Sequence, residues 1–301
     1  MSSIAYVTEV KMIEYNRLCG NRRINFWRLT SHKEFTNFHP GELLFFYTRP
    51  NNSRKKGFVG YAHYVSSQSM SLEAMWKKYG NSNGYDTLAQ MEEAIRKAAK
   101  DKPIPERMSC LQLEDVVFFL GPVYPEEVGL RISPKLESYY YLDQEDPATT
   151  VKILKVAEDV GIDIWSAPQI SEPESIFRRD EIRHQLTLIN KQIGKTAYTE
   201  KESAAANKLA KEYLKNNPGE LIRGSRTDII EIEDDQVKIT VPFVSQSRNY
   251  ALRKREFFGK LTLYKLQMKQ RNLPVKHMEF QVLCNEDEEE IQKLTEYFNH
   301  E

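Results

Sequence analysis

Three acidic residues in the second half of the chain have the spacing of a candidate metal site. Asp228 precedes an alternating apolar run, and a strand would place Glu231 and Glu233 on one face, because strand side chains alternate. Converging carboxylates bind Mg²⁺ in many nucleases. A PD-(D/E)xK nuclease would carry an acid and a lysine on the next strand, but "VKITVPFVSQS" is apolar there. A solvated strand edge is therefore the alternative, with Asp234 and Asp235 as turn residues.

A second candidate is a strongly basic segment at residues 245–276. It contains nine cations and one acid, Glu256, for a local charge of +8. Its apolar residues at 257, 258, 261, 264 and 268 share one face of a helix predicted over 248–271, which leaves a basic face for phosphate. The cations nominated for DNA contact are Arg248, Arg253, Lys254, Arg255 and Lys260. Alternatively, the acidic run 285–290 neutralises the charge of this segment in the folded protein, or the segment contacts another subunit.

Cations and aromatic residues also occur together in the first half. Arg49, Arg54, Lys55 and Lys56 follow a predicted strand, where they have the charge to bind phosphates. The stretch "SMSLEAMWKKYGNSNGYDTLAQMEEAI" at 69–95 places Trp76 and Tyr79 beside two lysines and a loop of small polar residues that cannot stay helical. The stretch raises the question of why two large rings lie at the edge of such a loop.

Composition indicates a globular protein of one large or two ordinary domains. The chain has 301 residues, 40% hydrophobic content and zero net charge, so overall charge does not point to nucleic acid. No run reaches the roughly 20 apolar residues of a membrane span, and the start "MSSIAYVTEVKM" lacks the features of a signal peptide. Three scattered cysteines, 19, 110 and 284, argue against disulfides and structural zinc and favour the cytoplasm.

Hydrophobic patterning predicts an α+β protein with two domains. Strands are predicted at 25–29, 42–48 and 58–65, within 110–124 and at 137–143, and helices at 71–79, 86–100 and 147–160. A linker is predicted at 166–175, where prolines and serines replace apolar residues. It separates domain 1–165 from domain 176–301, for which we predict helices at 176–193, 199–216, 248–271 and 286–298, a hairpin at 227–243 and a strand at 276–284.

The order of motifs in the first half resembles a known family. The series "NFWRLT … PGELLFFYTRP … GFVGYAHYV … SLEAMWKKYGNSNGYDTLAQM … CLQLEDVVFFLGPVYPE" is similar to the N-terminal module of bacterial HNH restriction endonucleases, over roughly residues 20–160. That module is similar to the PUA-like superfamily, which includes EVE, ASCH, SRA and YTH domains. The resemblance implies a curved β-barrel with flanking helices that holds one modified nucleotide in an aromatic pocket. The second half is expected to be an α/β domain.

The resemblance also implies which rings contact a base. Proteins that read a modified base flip it out at a cost of a few kcal/mol, and aromatic stacking returns roughly 1–3 kcal/mol per base. The nominated rings are Trp27, Phe46, Tyr47, Tyr64, Trp76 and Tyr79. The alternative for each ring is core packing, since either Phe46 or the pair Phe45 and Tyr47 must point inward if they share a strand.

Three functions therefore remain open. The first is a DNA-binding protein that recognises a modified base without catalysis, as in anti-phage defence by modification-dependent restriction. The second is a nuclease that uses Mg²⁺ at Asp228, Glu231 and Glu233, and the third is a reader of modified RNA. An HNH nuclease is not expected, because the second half has only three histidines and one cysteine. No cofactor is expected outside the nuclease alternative. The expected partners are modified DNA, other defence subunits or a second copy of the chain, with no membrane.

Overall fold

The computed structural model describes residues 2–29, 35–50, 53–100, 102–163, 173–284 and 288–300. The chain divides into two compact units, Met1–Phe177 and Arg178–Glu301, called unit 1 and unit 2 below. The division falls within helix α5 (Pro173–Ile193). Of the predicted linker 166–175, residues 166–172 lie outside the described residues, and the last three belong to this helix.

Unit 1 is built on a six-stranded sheet of order β2-β5-β4-β3-β1-β6. The strands are β1 (Ile4–Val7), β2 (Arg23–Arg28), β3 (Leu43–Thr48), β4 (Gly57–Met70), β5 (Met108–Val123) and β6 (Tyr139–Tyr141). β1 lies parallel to β3 and antiparallel to β6, and the remaining neighbours are antiparallel. The sheet is open within the described residues, with β2 and β6 as its edges, so the expectation of a closed barrel is wrong.

The two long strands β4 and β5 bend the sheet. Their pairing shifts register at three places, beginning between Phe58 and Gly60. Such bulges increase strand twist and bending. Gly60 permits the close approach there, because a Cβ at this position would lie 2.3 Å from the Val117 carbonyl oxygen. The resemblance implied a curved barrel; the register shifts in β4 and β5 are the kind of feature that bends a sheet, but in the described part of the chain the edges β2 and β6 do not pair to close a barrel.

Both faces of this sheet are covered. Helices α1 (Val10–Leu18), α2 (Leu72–Tyr79) and α3 (Leu88–Ala98) supply residues to one core, and α4 (Thr149–Val160) contributes to the other. Leu44 and Phe46 of β3 enter the first core, whereas Leu43, Phe45 and Tyr47 enter the second. Every residue of β3 is consequently buried. The sequence left open whether Phe46 or the pair Phe45 and Tyr47 points into the core. The structure buries all three residues, because each face of the sheet has its own core.

Unit 2 contains a four-stranded sheet of order β10-β9-β8-β7. The strands are β7 (Glu220–Leu221), β8 (Ile229–Glu233), β9 (Gln236–Phe243) and β10 (His277–Cys284), and β10 alone is parallel to its neighbour. The helices are α5, α6 (Glu200–Asn216), α7 (Tyr250–Gln270) and α8 (Glu289–His300). Residues of α5, α7 and α8 share one apolar core with the sheet. No helix among the described residues is long and apolar enough to cross a membrane.

Candidate nucleic-acid interface

A cavity of about 490 Å³, called the aromatic cleft below, opens in unit 1 where β1 and β2 end. Four rings contribute to its wall, and they are Tyr6, Phe26, Trp27 and Tyr85. Tyr6 meets Phe26 edge to face at 4.8 Å between ring centroids, so this part of the wall is held by aromatic packing. The volume is within the range of small-molecule sites. The cleft can therefore hold a planar ring system of nucleobase size.

Charged and polar groups lie among these rings. The Tyr85 hydroxyl donates to the Glu9 carboxylate at 3.0 Å, and burial followed by the Glu9 charge raises the pKa of Tyr85. Tyr85 therefore remains a donor at neutral pH and orients the carboxylate. Burial also raises the pKa of Tyr6, although the nearby Arg28 guanidinium opposes the shift. The cleft thus offers both a carboxylate acceptor and a guanidinium donor beside its aromatic wall.

Trp27 is half-buried in this wall and has an unusual hydrogen-bonding state. Its indole nitrogen is buried and has no acceptor among the described residues. A buried donor without an acceptor costs about 1–3 kcal/mol, so native proteins rarely leave one without reason. Trp27 is the one nominated ring that lines the aromatic cleft.

A second cavity of about 350 Å³ lies beyond the end of β3, and we call it the cation pocket. It brings together Tyr47 and all four cations nominated from that part of the sequence, Arg49, Arg54, Lys55 and Lys56. Arg131, which the sequence did not single out, completes the set. One carboxylate, Glu126, faces these five cations. The cavity is therefore suited to an anionic ligand.

The pairing within the cation pocket is incomplete. Lys55 pairs with Glu126 at 3.0 Å, and Lys56 donates to the Leu136 carbonyl oxygen at 3.0 Å. Burial, followed by the charge of Arg49, lowers the pKa of the Lys56 ammonium. The three arginines at 49, 54 and 131 have no carboxylate partner within the described ranges of the chain. Positive charge is thus concentrated here and is compensated only in part, by Glu126.

The aromatic cleft and the cation pocket lie on opposite faces of the sheet, because Tyr6, Phe26 and Trp27 of the cleft pack in the first core and Tyr47 of the pocket packs in the second. Val7 lines the cleft and is in register with Tyr47, which lines the pocket, on adjacent parallel strands about 5 Å apart. The Thr8 amide donates to the Tyr47 carbonyl oxygen at 3.0 Å. The segment after residue 135 borders both cavities, since Leu136 accepts from Lys56 and Glu137 lines the cleft.

Three of the nominated rings, Phe46, Tyr47 and Tyr64, lie in the core, and Phe46 and Tyr64 line neither cavity. Phe46 is 0% exposed and stacks on Phe118 at 5.9 Å, and Tyr64 stacks on Phe38 at 4.8 Å. Both belong to strands whose faces are covered by helices or loops, so a base cannot reach them without unfolding this side of the sheet. Core packing, the alternative that the sequence had left open, describes these two positions.

The polar loop after α2 is a structural connection. Asn83 is fully buried, accepts from the Asn25 amide at 2.8 Å and donates to the Gly80 carbonyl oxygen at 2.7 Å. Gly84 has φ +89°, and a Cβ there would lie 2.4 Å from Met12 Cγ. These contacts fix the helical hairpin of α2 and α3 to β2 and α1. The interruption of the helix is therefore explained by packing.

Trp76 and Tyr79 line neither cavity. Trp76 is partly buried against the core beside α2, and the Lys78 ammonium lies 4.9 Å from the Tyr79 ring centroid. Lys78 also donates to the Gln68 side chain at 2.9 Å. These contacts answer the question raised by the loop, since the two rings cover the outer end of the hairpin and lie outside both candidate ligand sites.

The basic helix predicted over 248–271 is α7, but its cations are largely paired. Arg253 is buried and binds Glu202 at 2.7 Å, and Lys260 binds Asp228 at 2.6 Å. Lys254 pairs with Glu290 of the acidic run after β10, as the alternative had proposed. Two of the five nominated cations, Arg253 and Lys260, are therefore held in internal ion pairs, and Arg253 is also buried. Arg248 and Arg255 remain exposed.

Asp228 is a buried partner of a lysine. It is 0% exposed, and its carboxylate accepts from Lys260, from the Tyr264 hydroxyl at 2.8 Å and from the Thr227 hydroxyl at 3.0 Å. Tyr264 donates in the same network to Asn190 at 3.0 Å. A carboxylate with these donors has its lone pairs engaged and its charge compensated. This environment stabilises the fold and leaves no open coordination position for a metal.

Glu231 and Glu233 do not complete a metal site. Glu231 accepts from Tyr213 at 2.7 Å and from Lys238 at 3.1 Å, whereas Glu233 is exposed at the end of β8. In the described part of the chain, no three His, Cys, Asp or Glu side chains form a group that could hold a metal ion. The geometry therefore does not bring the three candidate catalytic carboxylates together.

Several residues of the interface were not singled out from the sequence. Tyr6 and Glu9 belong to β1 and its exit, and β1 was not predicted because it is only four residues long. Tyr85 looked like part of the polar loop, and Arg131 lies far from the other cations in sequence. The adjacent cations after β3 were a usable signal, whereas the aromatic cleft forms from segments separated by tens of residues.

Comparison with known proteins gives limited matches. No protein-family model matches the chain, and no curated protein matches it. The crystal structure of ASCH from Zymomonas mobilis is similar to 52% of this chain and 95% of that chain, with 12% identity and a TM-score of 0.36. A tyrosine-to-phenylalanine mutant of the same protein is similar to 50% of this chain and 97% of that chain, with 13% identity and a TM-score of 0.35. The neighbours are thus ASCH proteins, which belong to the PUA-like superfamily. At these TM-scores, the likeness identifies neither the family nor the ligand of this chain.

Proposed function

We propose that unit 1 is a nucleic-acid-binding module that holds one base in the aromatic cleft. The observation that carries the proposal is the composition of this cleft, in which four rings stand beside a carboxylate and a guanidinium. Every base has a face that stacks on aromatic rings and an edge with hydrogen-bond donors and acceptors. Glu9, oriented by Tyr85, suits a base edge that donates, and Arg28 suits one that accepts.

The proposed substrate is DNA with a modified base that has been flipped out of the helix. Flipping costs a few kcal/mol, and stacking on one or two rings returns roughly 1–3 kcal/mol per base, so contacts to the modification and to phosphates must supply the remainder. The sequence resemblance to the module of HNH restriction endonucleases supports modified DNA as the substrate. It also supports a role in anti-phage defence that depends on modification of the target DNA.

The test is a binding titration with matched nucleic acids at two salt concentrations. The ligands are fluorescent duplexes that are unmodified or carry 5-methylcytosine, 5-hydroxymethylcytosine, glucosylated cytosine or N6-methyladenine, together with RNA of the same sequence. We expect one modified duplex to bind at least about tenfold more tightly than the unmodified one. Tighter binding of the RNA would favour the RNA alternative, and cleavage seen only with Mg²⁺ would revive the nuclease alternative.

Conservative variants connect any binding to the aromatic cleft. Tyr85→Phe removes the hydroxyl that orients Glu9, and Glu9→Gln removes the charge while keeping the shape. We expect each to reduce the preference for the modified duplex about tenfold, because hydrogen bonds to charged groups contribute about 1.5–3 kcal/mol. Tyr79→Phe is the matched control, since Tyr79 lies outside both cavities. Equal affinity for all duplexes, unchanged in the cleft variants, would refute the proposal.

A further inference from the structure

The cation pocket holds more positive charge than its own residues neutralise. Five cations and one carboxylate, Glu126, line the cavity, and Glu126 is already paired with Lys55 at 3.0 Å. In the part of the chain that the structure describes, no acidic side chain pairs with the guanidinium groups of Arg49, Arg54 or Arg131. Charges of the same sign repel each other when they are held close together, so a bound anion would stabilise this part of unit 1.

The loop that carries Arg54 is held in place by hydrogen bonds on both sides of this residue. The Ser53 hydroxyl accepts from the Lys55 amide at 3.1 Å and lies 3.3 Å from the Tyr124 hydroxyl. The backbone around Arg54 is therefore positioned without a ligand. A site that is ordered in advance loses less conformational entropy when a ligand binds, which favours affinity.

The rest of the pocket lining is apolar and includes one aromatic ring. Its members are Tyr47, Pro125, Leu130, Ile132 and Pro134. Tyr47 is only 4% exposed and packs in the second core, which fixes this part of the wall. The volume of about 350 Å³ is at the lower end of the range for small-molecule sites. The cavity therefore suits a compact ligand that joins an anionic group to an apolar or aromatic part.

The chemistry of the cations selects the anionic group. Guanidinium groups are planar and present two parallel N–H donors, which match two oxygens of a phosphate group. A phosphomonoester carries about 1.5 to 2 negative charges at neutral pH. A carboxylate or the phosphodiester of a nucleic-acid backbone carries only one. Because three exposed arginines share the cavity, the phosphomonoester compensates more of their charge than either alternative.

We propose that the cation pocket binds a small phosphomonoester whose organic part is apolar or aromatic. Arg49, Arg54 and Arg131 are the phosphate-binding residues, and the wall at Tyr47 and Ile132 contacts the organic part. The inference does not rest on the proposed function, because the aromatic cleft lies on the opposite face of the sheet. The pocket is a second ligand site of unit 1.

The test is isothermal titration calorimetry of the full chain with three probes. They are phenyl phosphate, its diester methyl phenyl phosphate, and inorganic phosphate. We expect phenyl phosphate to bind saturably with a Kd of about 1 mM or lower. The diester should bind at least about tenfold more weakly, because it has lost one charge and one free oxygen. Inorganic phosphate should bind at least about threefold more weakly, because it has no ring to cover the apolar wall.

An arginine variant then assigns the binding to the pocket. Arg54→Gln/Arg131→Gln should reduce the affinity for phenyl phosphate at least about tenfold, because it removes charged hydrogen-bond donors. Its melting temperature without ligand should not fall, since the change relieves repulsion and breaks no ion pair among the described residues. Arg96→Gln is the control, because Arg96 is exposed on α3, pairs with Glu92 and lines neither cavity. It should leave the affinity within about twofold of the original protein.

A second variant tests the apolar wall separately. Ile132→Ala removes apolar surface from the pocket and leaves its charges in place. We expect it to weaken the binding of phenyl phosphate about threefold and to leave the binding of inorganic phosphate within about twofold. Retained binding of inorganic phosphate also shows that the variant is folded.

Four outcomes would overturn the inference. No saturable binding of phenyl phosphate up to about 10 mM would refute a site for phosphomonoesters. Equal affinity for the diester would refute the assignment to a monoester and favour a nucleic-acid backbone phosphate. Equal affinity for inorganic phosphate would refute the organic part and favour free phosphate as the ligand. Unchanged binding in the arginine variant, or an equal loss in Arg96→Gln, would place the binding outside the pocket.

Discussion

Replacement of Lys260 by methionine should strongly destabilise unit 2. The change removes the cation that pairs with the fully buried Asp228 carboxylate and keeps an unbranched side chain that is one atom shorter. Breaking a buried ion pair by removing one partner costs about 3–5 kcal/mol, because the remaining charge is left in an apolar environment. Hydrogen bonds from Tyr264 and Thr227 persist, so we expect a value near the lower limit, about 3 kcal/mol.

Differential scanning calorimetry of the full chain measures this cost. A loss of about 3 kcal/mol corresponds to a fall of roughly 10–15 °C in the melting temperature of a domain of this size. Tryptophan fluorescence followed in parallel serves as an internal control, because all three tryptophans precede residue 178 and report on unit 1. We therefore expect the calorimetric transition of unit 2 to move more than the fluorescence transition.

Removal of the Asp228 charge, alone or together with the Lys260 charge, tests whether the ion pair causes this loss of stability. Asp228→Asn alone should cost less, about 1–2 kcal/mol, because the Lys260 ammonium is 11% exposed and can turn towards water. Asp228→Asn combined with Lys260→Met removes both charges and should recover at least about 1 kcal/mol relative to Lys260→Met. The structural role of Asp228 would be refuted if Lys260→Met cost less than about 1 kcal/mol, or if the double variant were no more stable than the single one.

Two further predictions concern the helical hairpin and the response to acid. Gly84→Ala should lower the free energy of unfolding by about 3 kcal/mol, because it combines a strained backbone with a clash against Met12. Gly80→Ala should lower it by about 1 kcal/mol, because no atom lies within 4 Å of the added Cβ. Urea unfolding of the two variants measures the difference. Burial favours a higher pKa for Glu202, but hydrogen bonds from its neighbours outweigh it and lower the pKa to about 2. The stability that Glu202 contributes is present above its unfolded pKa near 4.5 and is lost as the pH falls towards 2. Because Glu202 is only 2% exposed, solvent does not screen its ion pair with Arg253, and stability measured from pH 6 to pH 2 should decline about 2–3 kcal/mol less in Glu202→Gln.

Local patterning predicted most elements because their signals lie within single segments. The apolar positions of α7 and the turn between β8 and β9 follow short-range periodicity, and the structure contains both elements. Strand β1 was missed since four residues carry little pattern, and its place is set by pairing with β3 and β6. Closure of the sheet into a barrel likewise depends on whether its edge strands β2 and β6 pair. Local sequence patterns do not predict such pairing, because the two strands are far apart in the chain.

The interface shows the same limit. The cations at 49 and 54–56 were predicted together because they are neighbours in sequence, and they do share one cavity. The pairing of Arg253, Lys254 and Lys260 on α7 could not be predicted, because their acidic partners come from α6, α8 and the segment before β8. The sequence could not show which rings of β3 are core and which contact a ligand. Because β3 is covered on both faces, every side chain is buried, and the alternation of side chains along the strand does not distinguish exposed from buried positions.

The place of β1 between β3 and β6 has a consequence for synthesis of the chain on the ribosome. Ile4 pairs with both Leu44 and Tyr141, so β1 must wait for synthesis of residues up to 141 before it has both neighbours. Until then, β3, which is apolar except for its last residues Tyr47 and Thr48, can offer an open edge to other chains, which favours aggregation. Pairing over such separations also slows folding. We therefore expect the yield of folded protein to rise when translation is slowed or the temperature of expression is lowered.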